Sequence, residues 1–540
     1  MAGAARAGHF LRLWLLFFLA AASWSVMTPL GAVPDETAHV LNAASVARGQ
    51  LADPLPEVAD VASTHSQRVV YLPEVYEELL VMDECYKFRP EVPASCQEPL
   101  PEDPGPNVAV PTAAGRYNPT YYAMVGVTSY LPDASAGMFA MRLLSAAWCA
   151  LFMAWGVRAL DRFAHGRALR LGTLVTLTPG VFFIMGGVNP NGVEVAAGFS
   201  LWAALLGLVA LPGRDASAGS LPAGTPALLV QAGVGAFFVS TMRPIAPVWA
   251  AVTVLVCLVI MDRRRLLRLV RTRWFAFPAG LGVLAVLWVV GWQVTRPEPF
   301  GSLQTALDPR SVAESLLGIF FWLDDYAVMA VGNYGPADTP SPLLTVALVF
   351  GLIGFLVVTA LAVGSREAAP RLDGDLRMPR WRLGLLLVLV AMVSVPVVMS
   401  VPLWAHHGSL WQGRYTYALQ VGIGMLLGLA VASARTTHGP VDWTAVRTFV
   451  ARSTPWLVSA LVLAHAGAYW VSALRWSVGI EWNYVAGGAP PATIALYALR
   501  MFAGIAVMAV LVWYVVRERP PHPGERGATA VAEPAALRST

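Results

Sequence analysis

Charge is scarce in this chain. Only 13% of its 540 residues are charged, where a soluble protein carries about a quarter, so most of its surface must face lipid. There is a single lysine, Lys87, and nearly all the basic charge falls on arginine. Four cysteines are too few for a disulfide scaffold or a zinc site. No internal repeat is visible, which disfavours a transporter built from duplicated halves. The net charge of +4 does not signal nucleic acid, because the arginines lie in short loops between apolar runs. Apolar residues are what the chain has in plenty: 56% of the total, with 19 Trp suited to the interfacial belts of a bilayer and a mean hydropathy of +0.58.

Runs of roughly 17–25 apolar residues cross a bilayer as helices. They fall near 10–28, 138–157, 168–187, 192–211, 226–241, 244–261, 274–294, 342–363, 383–403, 415–433, 455–473 and 494–516. The expected fold is an all-α polytopic membrane protein of about twelve spans. Its arginine-rich loops at 158–170, 262–273 and 366–382 then share one side with both termini, and the positive-inside rule makes that side cytoplasmic. The expected organisation is a first span at 1–28, an extracytoplasmic loop with an interfacial helix at 29–137, a multi-span region at 138–516 and a disordered tail at 517–540. Cys85 and Cys96 sit in the large loop, where a disulfide and two free thiols are equally open readings. Arg6, Arg12 and Ala20-Ala21-Ala22 around an apolar core also fit a cleaved signal peptide.

The first polar segment after the first span reads Val33-Pro34-Asp35-Glu36-Thr37-Ala38-His39. Pro34 suits the first turn of a helix, and both acids then lie at the positive end of its dipole. Asp35 and Glu36 are spaced i,i+4 and i,i+3 from His39, so either carboxylate can meet the imidazole. Val40, Leu41 and Ala44 supply an apolar side on which such a helix can lie flat on the membrane. An ordinary acidic helix start with a surface histidine explains the same residues.

This segment resembles the signature of a large family of uncharacterised bacterial polytopic proteins, which are similar in turn to the GT-C glycosyltransferases. The arginine bias fits a GC-rich bacterial genome. Three further stretches agree in order: Tyr117-Asn118-Pro119-Thr120-Tyr121-Tyr122 resembles a Pro-Pro-aliphatic-Tyr-Tyr element, Asn189-Pro190-Asn191-Gly192 a Ser-Pro-Asp-Ala turn, and Gln412-Gly413-Arg414-Tyr415 a Gly-Arg-Tyr element. Asn191 stands where the second motif has its acid, leaving the role of that position and of nearby Glu194 open.

The resemblance implies transfer of a sugar from a polyprenyl-phosphate donor to an extracytoplasmic cell-envelope glycan or lipid-linked acceptor. It implies a plasma-membrane protein in contact with membrane lipids and not with nucleic acid. Asp35 is then the expected general base and Glu36 its support. Arg243 and Arg414 are expected at the donor phosphate, since their planar forks match its oxygens; snorkelling to headgroups is the alternative for both. His39, Tyr121, Tyr122, His406, His407 and Tyr415 complete the expected substrate-binding set. Arg142 reads as packing. Asp324, Asp325 and Tyr326 fit sugar binding and an interfacial helix equally. A divalent metal on Asp35 and Glu36 is an open expectation, and no other cofactor is expected; His406 and His407 alone make a poor chelate. A transporter or lipid flippase and a glycan polymerase or ligase are the competing functions.

Overall fold

A backbone in hydrocarbon must satisfy each N–H and C=O within its own segment, so the apolar runs become helices. The computed structural model describes residues 2–51, 57–58, 67–115, 117–162, 167–210, 224–295, 309–364, 380–407, 411–433, 443–481 and 484–517. The expected tail therefore lies, past Arg517, outside the described residues. Helix α1 (Ala2–Met27) leads into a layer made of α2 (Glu36–Ala47), strands β1 (Glu57–Val58), β2 (Gln67–Pro73) and β3 (Asn107–Thr112), and the short α3 (Thr120–Val125). The chain continues through α4 (Ala134–Leu160), α5 (Arg167–Thr176), α6 (Pro179–Met185), α7 (Pro190–Ala210), α8 (Thr225–Met242), α9 (Ala246–Ile260), α10 (Arg263–Arg271) and α11 (Ala276–Val294). Helices α12 (Pro309–Phe321) and α13 (Leu323–Val331) precede α14 (Leu343–Gly364), α15 (Arg380–His407), α16 (Tyr417–Ser433), α17 (Trp443–Ser477) and α18 (Pro491–Val516).

The result is an all-α, multi-pass membrane fold. Among the described residues nine helices are long and apolar enough to span, or eleven if the bent pairs α5–α6 and α9–α10 each count as one. The span expected at 415–433 is α16, which at 17 residues lies at the short edge of what crosses a bilayer. The span expected at 168–187 is not straight, and the one expected at 244–261, which is α9, turns sharply just past its end. Pro179 lacks an N–H and forces Thr178 into an extended conformation (φ −66°, ψ 164°), bending α5 against α6 by 67°. Asp262 caps α10 by accepting from the backbone N–H groups of Arg264 and Arg265, and the chain turns by 120° there because the arginines of α10 cannot follow α9 into hydrocarbon.

The bundle has a centre and a lipid-facing rim. Of the α7 span 89% is buried, against 6% of the span containing α11. A residue on α7 is therefore enclosed by protein, whereas Val286, Leu287 and Val294 on α11 are open to the surroundings. Helix α1 belongs to the core, with Leu13, Phe17, Ala20 and Ala21 fully buried.

The loop layer fixes α2. Strands β2 and β3 pair antiparallel with Val70 opposite Val110 and Leu72 opposite Val108. Thr112 donates its hydroxyl to the Ala38 carbonyl (2.8 Å), and Asn42 donates to the Ala114 carbonyl (2.8 Å). Eight of the twelve α2 residues are buried, so α2 does not lie flat on a surface as expected but is wedged into the protein. A disulfide joins Cys85 to Cys96. Close by, the buried Arg475 donates to the carbonyls of Val92 (2.6 Å) and Tyr86 (2.9 Å) and to Asp338 (3.1 Å), clasping the layer to α17.

Candidate active site

The chain enters α2 through an unusual backbone position. Asp35 is the N-cap residue, in the left-handed region (φ 61°, ψ 11°), and its carboxylate makes no cap hydrogen bond. A non-glycine residue there costs about 1–3 kcal/mol, tolerated best by Asp and Asn. The carboxylate is thereby turned away from the helix, and it accepts from Arg414 Nη2 at 2.6 Å across 379 residues of sequence. Asp35 stays 60% exposed, while Arg414 is only 9% exposed. Arg414 Nε and Nη1 have no hydrogen-bond partner. Desolvation works to raise the Asp35 pKa, but the charges of Arg414 and Arg243 outweigh it and hold the pKa below its ordinary value. Asp35 is an anion at neutral pH.

Arg414 is placed by a close approach. A Cβ on Gly413 would stand 2.6 Å from the Ala330 nitrogen and 2.7 Å from Met329, so only glycine lets this turn pack on the end of α13. Arg414 and Pro34 also line a small open pocket whose other walls include Gly180, Phe183, Met329, Asn333 and Tyr417. The broken α5–α6 helix supplies Gly180 and Phe183, so the bend is part of the site.

Glu36, one residue on, is built differently. Its carboxylate is fully buried and accepts from Arg142 Nε (2.7 Å) and Nη2 (2.5 Å), from the Val188 N–H (2.9 Å) and from the Gly31 N–H (3.0 Å). Arg142 donates its remaining hydrogens to the carbonyls of Ser25, Thr28 and Pro29. Neither acid pairs with His39, contrary to the i,i+3 and i,i+4 expectation: His39 Nδ1 bonds the Tyr122 hydroxyl (2.9 Å). Burial drives the His39 pKa down to about 3, with Asp35 opposing, so this imidazole is neutral at neutral pH. The expected metal also fails to fit. Both oxygens of Glu36 are taken, and among the described residues no three His, Cys, Asp or Glu side chains are placed to hold an ion.

A second acid–arginine pair flanks the first. Arg243, at the C-terminal end of α8, lies 3.7 Å from Glu194 and 4.2 Å over the Tyr415 ring. The Arg414 guanidinium lies 5.3 Å from the same ring. Asp35, Arg414, Tyr415, Arg243 and Glu194 thus form one continuous row. Tyr117 joins it, its ring edge-on to His39 at 5.4 Å.

The structure therefore brings Asp35, Arg243, Arg414 and Tyr415 together and leaves other expected residues outside. Tyr121 and Tyr122 are fully buried; Tyr121 donates to Ser145 (3.1 Å) and Tyr122 holds His39. Both, with His39, are engaged in these internal bonds. Asp324 and Asp325 sit exposed in the first turn of α13. His406 and His407 end α15, and their side chains lie outside the described residues. Tyr117 and Glu194 carried no assigned role in the sequence reading. Glu194 had a readable signal, since it is the single ionisable residue of the apolar run 190–210, and a charge within a span is a functional hypothesis by default.

These features define a multi-pass membrane protein with a row of acid–arginine pairs at the junction of its helices and a loop layer. The chain belongs to the family of predicted membrane proteins DUF2142, which matches residues 16–423. No curated protein sequence matches it. Its helices are arranged similarly to those of ArnT from Cupriavidus metallidurans in the apo state, at 13% identity over 96% of this chain and 78% of that one, with a TM-score of 0.43. ArnT bound to undecaprenyl phosphate gives 14% identity, 95% and 78% coverage and a TM-score of 0.40. The archaeal oligosaccharyltransferase AglB from Archaeoglobus fulgidus, in complex with an inhibitory peptide and a dolichol-phosphate, gives 13% identity, 89% and 56% coverage and a TM-score of 0.37.

Proposed function

We propose that this protein is a membrane glycosyltransferase that moves a sugar from a polyprenyl-phosphate donor to a hydroxyl of a cell-envelope acceptor. The acid–arginine row then faces outside the cytoplasm of a bacterial plasma membrane, with the arginine-rich loops and both termini inside, a placement that the charge bias of the loops supports. One observation carries the reading: the incompletely bonded Asp35–Arg414 pair, in which an exposed carboxylate meets a shielded guanidinium with two unpartnered nitrogens. Those nitrogens are donors that match phosphate oxygens, and the adjoining pocket is walled by apolar side chains suited to a lipid-linked group.

In the proposed reaction the acceptor hydroxyl attacks the anomeric carbon and gives its proton to Asp35. The anomeric C–O bond to phosphate breaks, and polyprenyl phosphate leaves with the electron pair, its growing charge met by Arg414 and Arg243. Free Asp35 is a weak base, because Arg414 stabilises its anion. A donor phosphate that takes over the Arg414 guanidinium removes that stabilisation and adds negative charge nearby, and both effects raise the Asp35 pKa. Donor binding thereby primes the base. Glu36 contributes by holding the loop in register through Arg142.

The test is lipid binding. Arg414→Ala weakens the affinity for a polyprenyl-phosphate sugar by roughly ten- to a hundred-fold, and Arg414→Lys by less, since it keeps charge but loses the fork. Unchanged affinity in a folded Arg414→Ala protein sinks the assignment. A broken helix beside a binding pocket is also how transporters build their sites. The α5–α6 bend favours that second reading, and the two part on whether the sugar leaves its lipid in a transfer assay.

A further inference from the structure

The proposed chemistry makes little use of Glu194. It stands one turn after Asn191 on the same face of α7, and both side chains are buried, at 0% and 1% exposure. The Asn191 side chain lies against the Glu194 carboxylate, yet neither oxygen of Glu194, neither polar atom of the Asn191 side chain, nor Arg243 Nη1 meets a partner in hydrogen-bond geometry. The 3.7 Å between Glu194 and Arg243 is a Coulombic contact too long for a hydrogen bond. Most buried polar groups are bonded, so five unpaired atoms gathered at one spot point to a ligand that would bond them. Three of these atoms accept and two donate. A hydroxyl does both, and the neighbouring hydroxyls of a sugar ring can satisfy the mixed set.

Charge narrows the choice. Glu194 and Arg243 offset each other, so an uncharged ring leaves no charge unpaired. An ammonium or carboxylate substituent would bury one, which is strongly unfavourable. Position agrees with this. Asn189 donates to the Pro34 carbonyl (2.9 Å) and accepts from the Asn191 N–H (2.9 Å), fixing the cluster relative to the Asp35 loop. Tyr415 is shared by Arg243 and Arg414, so a group hung from a phosphate at Arg414 has the cluster one ring-width away.

We propose that Asn191, Glu194 and Arg243 recognise the hydroxyls of an uncharged sugar, the glycosyl group of the donor. This rests on the glycosyltransferase reading above and adds the substrate class to it. The residues are specificity determinants and take no part in proton transfer.

The experiment measures binding to the full-length protein in lipid nanodiscs. The probes are polyprenyl phosphate, the same lipid carrying a neutral hexose, the same lipid carrying a hexosamine, and a free methyl hexoside. Wild type binds the hexose lipid about ten-fold or more tighter than bare polyprenyl phosphate, and the hexosamine lipid no tighter than the bare lipid. Asn191→Ala removes most of the hexose increment and leaves the bare-lipid affinity unchanged; Glu194→Gln also removes most of it and does not weaken the bare lipid, since it only frees Arg243 of its acid; Arg414→Ala weakens both lipids. A hexose increment that survives both cluster variants, at wild-type melting temperature, overturns the proposal. An increment of equal size for the hexosamine overturns the claim of an uncharged sugar. If Glu194→Gln fails to fold, Asn191→Ala decides, since it leaves the Glu194–Arg243 pair in place. Bare lipid that ignores Arg414→Ala overturns the donor-phosphate reading instead, and the methyl hexoside still reports on the cluster.

Discussion

Asp35 and Glu36 are neighbours in sequence, each is an acid, and each meets an arginine, yet the two pairs are opposites. Glu36–Arg142 is sealed: both partners are buried and the hydrogen bonds are shared among backbone groups of three segments. Asp35–Arg414 is open, with a single contact, an exposed acid and guanidinium nitrogens left over. The strained backbone at Asp35 sends the two side chains to different partners. A saturated pair holds geometry, and an unsaturated one is available to a ligand. The identity of the acid does not distinguish them; the number of bonds still to be made does.

The contrast breaks most visibly on Asp35. Asp35→Asn keeps the size, the hydrogen bonding and the tolerance of the left-handed backbone while removing the proton acceptor. Sugar transfer should fall by about 10²–10⁴-fold, with a stability change within about 1 kcal/mol, the scale of an exposed pair. Transfer rates and melting curves on the same preparation check this, and near-wild-type transfer makes Asp35 a helix-start residue only. The sealed pair should behave in reverse. Arg142→Ala strands the buried Glu36 carboxylate and should lower stability by about 3–5 kcal/mol, read as a large loss of melting temperature and membrane level. A wild-type melting curve for that variant would show that the staple carries no strain-bearing role.

The smallest effect is in pH. The Asp35 pKa is held below 3.8 in the free protein, so the stability contributed by its pair with Arg414 is present above the unfolded value and is lost as pH falls through the depressed folded value. The acid limb of kcat/KM, which reports the free enzyme, should therefore lie below pH 3.8. Donor phosphate at Arg414 raises the pKa, so the acid limb of kcat, which reports the complex, should sit at higher pH than that of kcat/KM. Coincident limbs would show that the phosphate does not engage Arg414.

The site was legible where a polar residue interrupts apolar sequence at a helix end. Asp35, Arg243, Arg414 and Tyr415 all answer to that description, and they do lie in one row. The difference between Asp35 and Glu36 was not legible, because adjacent acids in a helix start look alike until their partners are known. The internal partners of Tyr121 and Tyr122, Ser145 and His39, were not legible for the same kind of reason. Which face of a short helix is buried depends on how α3 docks, and the residue beside the acid–arginine row is Tyr117, which precedes that helix. The hydrophobic runs gave the helices, but a hydropathy window averages across Thr178-Pro179 and cannot report the bend that shapes the pocket. Glu194 stood in plain view as a solitary acid in an apolar run; its partner, Arg243, is supplied by the next span in sequence.

The two halves of the open pair lie 379 residues apart, and those of the sealed pair 106. Ribosomes add about 5–20 residues per second, so Glu36 meets Arg142 roughly 5–20 s after it is made, whereas Asp35 waits roughly 20–75 s for Arg414. The loop is thus locked in shape while most of the spans are still to be inserted. The reactive corner closes only when the bundle is nearly complete. Synthesis order alone keeps an unfinished protein from presenting a finished site.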